Sequence, residues 1–176
     1  MPVLSTIGYE ASSLEDFIAT LHAAGIHTLI DVRELPISRR PGFAKTALSS
    51  ALTAEGIRYV HLKWLGDPRE GREAARAKDF DKFLRIYTRH LGSASAQADL
   101  AEAARLSAEN GACLMCYERD HTTCHRLLVA KAIAAKLPTQ IKHLGVRQGI
   151  DREKRKAERT GDRAREGLAP RGHEAR

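Results

Sequence analysis

Three times along the chain a helical pattern runs into a glycine and then into a short apolar stretch. The phrase appears as A-A-G-I-H-T-L-I-D-V around Gly25, as A-E-G-I-R-Y-V-H-L around Gly56 and as E-N-G-A-C-L-M-C around Gly111. Glycine just past a helix end takes the left-handed conformation that closes the last turn without a Cβ penalty. The apolar run that follows is too short for a helix and suits a strand covered on both faces. A chain that repeats this unit is constrained to an α/β architecture: one domain with a mostly parallel central sheet flanked by helices.

The remaining elements fit between these phrases. Strands are predicted at about Val3–Ile7, Thr28–Val32, Arg58–Leu62, Ala112–Cys116 and Gln140–Leu144. Ser12, three residues before Glu15, has capping-box spacing and opens a helix with Leu14, Phe17, Ile18 and Leu21 on one face. Further helices are expected over about Lys45–Glu55, around Phe80, Phe83, Leu84 and Tyr87, through the alanine-rich segment before Gly111, and from Cys124 to about Lys136. The stretch with Gly66, Pro68 and Gly71 reads as a charged connection. Beyond Gly149 apolar residues almost vanish and charges alternate in sign. Such a segment cannot bury enough surface to offset its ordering entropy. The chain therefore divides into an α/β domain over 1–147 and a charged, partly disordered tail over 148–176.

Composition narrows the class. Hydrophobic residues make up 43% but aromatics only 5%, so Leu, Ile, Val and Ala must fill the core. No apolar stretch approaches the ~20 residues of a membrane span, so no membrane partner is expected. The first residues lack a basic and apolar leader pattern, and three cysteines, an odd number, do not suit a disulfide framework. A cytoplasmic setting follows as the expectation. The net charge of +7 favours polyanionic partners, although mixed surface charge that merely keeps a chain soluble gives the same balance.

In a parallel sheet the carboxyl ends of all strands open onto one edge, where ligands bind. Strand one brings Gly8, Tyr9 and Glu10 there; strand two brings Asp31 and Arg33; strand three brings His61; strand four brings Cys116 and Glu118; strand five brings His143. Cys124, His125 and Arg126 start the helix after strand four. The stretch C-L-M-C-Y-E-R-D-H-T-T-C-H-R, Cys113 to Arg126, holds all three cysteines. A cysteine at a helix N-terminus beside His and Arg has its thiolate stabilised, which describes Cys124. Cys116 is a redox partner for it or a nucleophile in its own right. Asp31 and Glu118 are placed to orient His125 or to act as acid and base. Arg33, Arg39, Arg40 and Arg126 are suited to fork onto phosphate or carboxylate, with Gly8, Tyr9, His61 and His143 completing the ligand-binding set. Plainer roles exist for several of these. Cys113 reads as packing, Asp31 and Arg33 share a strand face and can pair with each other, His61 and His143 can be satisfied strand-end histidines, and Tyr9 can close a turn.

These motifs resemble the domain of unknown function 488 family of small bacterial and archaeal proteins. The matching pieces are T-I-G-Y (Thr6–Tyr9), L-I-D-V-R-E-L-P (Leu29–Pro36), S-R-R-P-G-F through Phe43, G-I-R-Y-V-H-L-x-x-L-G (Gly56–Gly66), C-Y-E-R-D-H-T-T-C-H-R (Cys116–Arg126) and I-K-H-L around His143, together covering about residues 1–147. The resemblance implies a single α/β domain and no settled activity. Its characteristic positions fall on Gly8, Tyr9, Asp31, Arg33, Arg39, His61, Cys116, Glu118, Cys124, His125, Arg126 and His143.

Four functions compete on these residues. The leading one is a site that binds a phosphorylated ligand, nucleotide or nucleic acid, and acts on it through Cys116, Glu118, Cys124, His125 and Asp31; it assigns no metal and leaves the cofactor open. A sulfurtransferase or thiol-redox enzyme is the second, supported by a similarity of L-I-D-V-R-E to a rhodanese strand. No C-x-x-x-x-x-R cradle follows Cys116, however, because His121-Thr122 stand there. The third is a zinc site from Cys116, Cys124, His125 and one further histidine, with a Cys116–Cys124 gap wider than usual. The last is a non-enzymatic nucleic-acid-binding module, for which no recognised DNA- or RNA-binding motif is visible. Whether the protein is an enzyme, and its oligomeric state, stay open on the sequence alone.

Overall fold

In the computed structural model, which describes residues 1–166 and side chains through residue 160, the five expected strands form one sheet. They are β1 (Val3–Gly8), β2 (Thr28–Asp31), β3 (Arg58–His61), β4 (Ala112–Cys116) and β5 (Gln140–Leu144), in the order β3-β2-β4-β1-β5. Every pairing is parallel. Gly25, Gly56 and Gly111, which precede β2, β3 and β4, all have positive φ (68°, 72° and 91°), as the recurring phrase requires. The fold class is the α/β one read from the sequence.

Side-chain alternation along the strands builds two cores. Leu4, Ile30, Leu114 and Cys116 face helices α5 (Ala94–Ser107) and α6 (His125–Lys136), packing with Leu100, Ala103, Val129 and Ile133. On the other face Ile7, Leu29, Cys113 and Met115 pack with Phe17 and Leu21 of α1 (Leu14–Ala23) and Leu48 and Leu52 of α2 (Lys45–Ala54). Each fully buried Leu or Phe contributes roughly 1.5–3 kcal/mol. Cys113, fully buried, belongs to this second core.

Two readings change. The residue that caps α1 is Ser13, whose hydroxyl accepts the Asp16 N–H at 3.1 Å; Ser12 is buried instead, with its hydroxyl turned to the Glu10 carbonyl. The charged connection after Gly66 is a helix, α3 (Arg69–Arg76), followed by α4 (Phe80–Leu91). Pro68 precedes α3 as its N-cap, a position where the ring disrupts no helical bond.

The charged segment after Gly149 forms α7 (Ile150–Glu166). Asp16 of α1 holds its start, accepting the Gly149 N–H at 2.9 Å and the Asp151 N–H at 3.1 Å. Residues 167–176, part of the stretch expected to be disordered, lie outside the described residues. No described helix is long and apolar enough to cross a membrane.

The strand order positions the site. After β2 the chain passes to β3 on one side, and after β4 it passes to β5 on the other. β2 and β4 are neighbours, so their connections diverge and a crevice opens beyond their carboxyl ends.

Candidate functional site

A cleft of about 780 Å³ lies at this point. Cys116, Glu118 and His125 line it, together with Tyr9, Arg33 and the 34–41 loop. Asp67, Arg72 and Arg76 come from the α3 side.

The reactive groups are placed by β4 and α6. Cys116 ends β4 on the face that packs against α6. Cys124 is the N-cap of α6, with extended backbone angles (φ −118°, ψ 139°), and its sulfur accepts the Arg126 N–H at 3.5 Å. Because Cys124 is not yet helical, its side chain can turn back toward the ring of the next residue. Cys116 Sγ, Cys124 Sγ and a His125 ring nitrogen all lie within 4.8 Å of one another, and all three residues are buried. His125 donates through Nε2 to the Val32 carbonyl at 2.9 Å, which leaves Nδ1 for the sulfurs. Cys116 also donates to Glu118 Oε2 at 3.3 Å.

The charges within this cluster are coupled. Burial pushes the Cys124 thiol up, but the neighbouring Cys116 thiol and the charge of His125 outweigh it and hold Cys124 well below the usual thiol range. The neighbouring Cys124 sulfur, with burial, raises Cys116 well above that range. Burial lowers His125, yet the Cys124 charge brings it up to about 9. Burial and the same charge push Glu118 up to about 7.

Asp31 and Arg33 lie on the other side of the crevice. Asp31 was expected to orient His125. Its oxygens are taken instead by Arg33 Nε (2.9 Å) and Nη2 (2.7 Å), by the Arg33 N–H and by the Tyr59 hydroxyl at 2.6 Å. The physical reason is strand parity: Asp31 shares the α1–α2 face with Leu29, whereas Cys116 projects from the opposite one. Arg33 is buried and also donates from Nη1 to the Tyr9 hydroxyl (3.0 Å) and the Phe43 carbonyl (2.9 Å). Tyr9 stacks on Phe43 at 4.4 Å.

Arg126 was expected to grip a ligand. It is 1% exposed and spends its guanidinium on the Glu118 carbonyl, the Arg119 carbonyl (3.1 Å) and Thr6 Oγ1 (3.4 Å), so it clamps the loop that carries Glu118. Gly8 serves the same loop, because a Cβ there would overlap the Glu118 carbonyl. His61 donates to the Arg33 carbonyl at 2.8 Å, and His143 stacks on His121 at 3.6 Å with Thr6 at its Nδ1. Neither histidine lines the cleft. Arg39 does, on its exposed wall.

Sequence reading missed Asp67, Arg72 and Arg76. Burial pushes Asp67 up to about 6, and its Oδ1 is buried with no hydrogen-bond partner. Arg72 pairs with Glu34 and donates to the Asp67 carbonyl at 2.6 Å. The i,i+4 spacing of Arg72 and Arg76 was the available signal, once that stretch is seen as a helix.

A family model described as "Domain of unknown function DUF488" matches residues 13–133. No curated protein and no solved structure matches the chain.

Proposed function

The chain belongs to the family of domain of unknown function DUF488, and on that premise we propose that it binds a phosphorylated ligand, a nucleotide or nucleic acid, and acts on it at the floor of the cleft. The observation that carries this reading is the distribution of charge around one opening. Five arginines line it: Arg33, Arg39, Arg40, Arg72 and Arg76. Asp31 neutralises Arg33, Glu34 neutralises Arg72 and Arg40 donates from Nη1 to the Ser12 carbonyl at 2.8 Å, whereas the ion pairs and hydrogen bonds among the described side chains engage neither the Arg39 nor the Arg76 guanidinium. Those two, both exposed, are the phosphate-binding cations.

Leu35, Ile37 and Tyr117 add exposed apolar and aromatic surface at the rim. Tyr117 meets Tyr9 edge-on at 5.4 Å and offers a base a face to stack on. Beneath them, Cys116, Glu118, Cys124 and His125 form the reactive end, with Glu118 as its proton-transfer group. Asp31 takes no part in it; with Arg33 it supports the wall.

The test is titration of a nucleoside monophosphate and a short single strand into wild type and into Arg39→Ala/Arg76→Ala, each at low and moderate salt. The double variant is expected to bind about 10-fold or more weakly and to show a salt slope reduced by roughly one per lost contact. Equal affinity and equal slope in the two proteins contradict the reading.

A further inference from the structure

We propose that Cys116, Cys124 and His125 are the protein ligands of a zinc ion whose fourth position opens into the cleft. The inference deepens the reading above and rests on it for the ligand's approach, while the metal itself rests on the donor geometry alone.

Two sulfurs and one imidazole nitrogen, all buried, converge within 4.8 Å of one another. With Zn–S near 2.3 Å and Zn–N near 2.0–2.1 Å, neighbouring ligand atoms around a tetrahedral zinc are on the order of 3.5–3.8 Å apart. Cys116 Sγ stands 3.9 Å from both His125 ring nitrogens and the three donors lie within 4.8 Å of one another, so binding draws them together by at most about 1 Å, with the ring turning Nδ1 toward the metal. The His125 tautomer is already set for it. Nε2–H is committed to the Val32 carbonyl, and that outer bond to a backbone oxygen is the arrangement that orients metal-ligating histidines.

Two features of the sequence argue against such a site, and the structure answers both. Cys124 and His125 are adjacent, which inside a helix would send their side chains apart. Cys124 is the N-cap, with an extended backbone, and its sulfur meets the ring of its neighbour. The separation of Cys116 from Cys124 is long for a zinc knuckle. Arg126 folds the intervening loop back through the Glu118 and Arg119 carbonyls, so the two sulfurs meet despite it.

The donor set selects the metal. Thiolate and imidazole suit zinc, whereas magnesium and calcium demand oxygen ligands. Three protein ligands with a fourth position toward a cleft is the pattern of a zinc site that holds water or a substrate oxygen. Cys116, Glu118 and His125 line that cleft, and the Glu118 carboxylate lies 3.3 Å from Cys116 Sγ, beside the open position.

The test uses the full-length, untagged chain purified without added metal. Elemental analysis and native mass spectrometry are expected to find one zinc per chain. After chelation, titration with Co²⁺ is expected to give sulfur-to-cobalt charge-transfer bands with tetrahedral d–d bands, and zinc is expected to protect Cys116 and Cys124 from iodoacetamide. His125→Ala and Cys124→Ser should weaken zinc binding by more than the roughly 10–100-fold that loss of an outer partner costs. The cobalt titration of the intact chain needs no variant, so a misfolded mutant does not blunt the test. Arg39→Ala/Arg76→Ala should keep its zinc whatever happens to nucleotide binding, which separates this inference from the phosphate reading. A metal-free purified chain that shows no cobalt–thiolate band and alkylates equally with and without zinc overturns the proposal.

Discussion

Arg33 grips Asp31 by two side-chain bonds, Nε at 2.9 Å and Nη2 at 2.7 Å, in a pair that is almost wholly out of solvent. Two residues that look reactive in sequence are thus a structural clamp. It ties the end of β2 to Tyr9, Phe43 and Tyr59. Removing one partner leaves an uncompensated buried charge, which costs about 3–5 kcal/mol. Arg33→Ala should therefore lower stability by that order in urea denaturation. Arg33→Lys should recover little of it, since an ammonium cannot reproduce the fork. A loss under about 1 kcal/mol in Arg33→Ala would mean that the clamp contributes no more than an exposed ion pair.

Gly8 needs no left-handed conformation; it needs the absence of a side chain. A Cβ there would overlap the Glu118 carbonyl and crowd Arg119 Cα, both backbone atoms that cannot swing away. Gly8→Ala should cost about 1–3 kcal/mol by overpacking and displace the loop that carries Glu118. Thermal melts, together with amide chemical shifts over residues 117–120, check it. Unchanged shifts would show that the loop does not lean on β1.

Arg126 acts on the same loop from the other side. Arg126→Ala should leave two partly buried carbonyls without their guanidinium partner, at about 1–3 kcal/mol for each acceptor that water does not reach. Phosphate affinity should fall only as far as the loop moves, because the guanidinium itself does not face the cleft. Amide exchange on residues 117–120 is the readout. If that segment keeps its protection in the variant, Arg126 is not its clamp.

Asp16 links α1 to α7, and the link is pH-dependent. The Gly149 N–H, followed by the Asp151 N–H and the Ser13 hydroxyl, holds its carboxyl below the usual carboxylate value despite the counter-effect of burial. A group whose folded pKa is depressed stabilises the fold above its unfolded value, near 3.9, and that contribution disappears as pH falls through the folded value. Wild type should exceed Asp16→Asn in stability and in protection of the first turn of α7 at pH 7. The two proteins should converge below about pH 4. A gap that stays constant from pH 7 to acid would show that the charge on Asp16 plays no part.

Much of this architecture was legible because single residues have strong local physics. Gly25, Gly56 and Gly111 punctuate three helix–strand units, and the bounds of Ala112–Cys116 and Gln140–Leu144 were read without change. The meeting of Cys116, Cys124 and His125 followed from sheet direction, since strand ends and helix starts share one edge. What was not legible is where long side chains point. Arg126 and Asp31 have the right types at the right edge, but Arg126 turns inward to carbonyls and Asp31 is carried to the other face by strand parity. The α3 helix was hidden by Gly66, Pro68 and Gly71, which read as loop punctuation, and with it went Asp67, Arg72 and Arg76. Val32 is visible only in three dimensions, since it acts through its carbonyl oxygen and any residue would supply one.

Native mass spectrometry of the full chain, incubated with a nucleoside monophosphate at about 1 mM and compared with Arg39→Ala/Arg76→Ala, tests the central claim most directly. A mass increment of one phosphorylated ligand on the wild type, lost in the double variant, is the predicted result. An unliganded mass for the wild type, or the same increment on both proteins, would contradict it and remove the phosphate-binding role from the arginine wall.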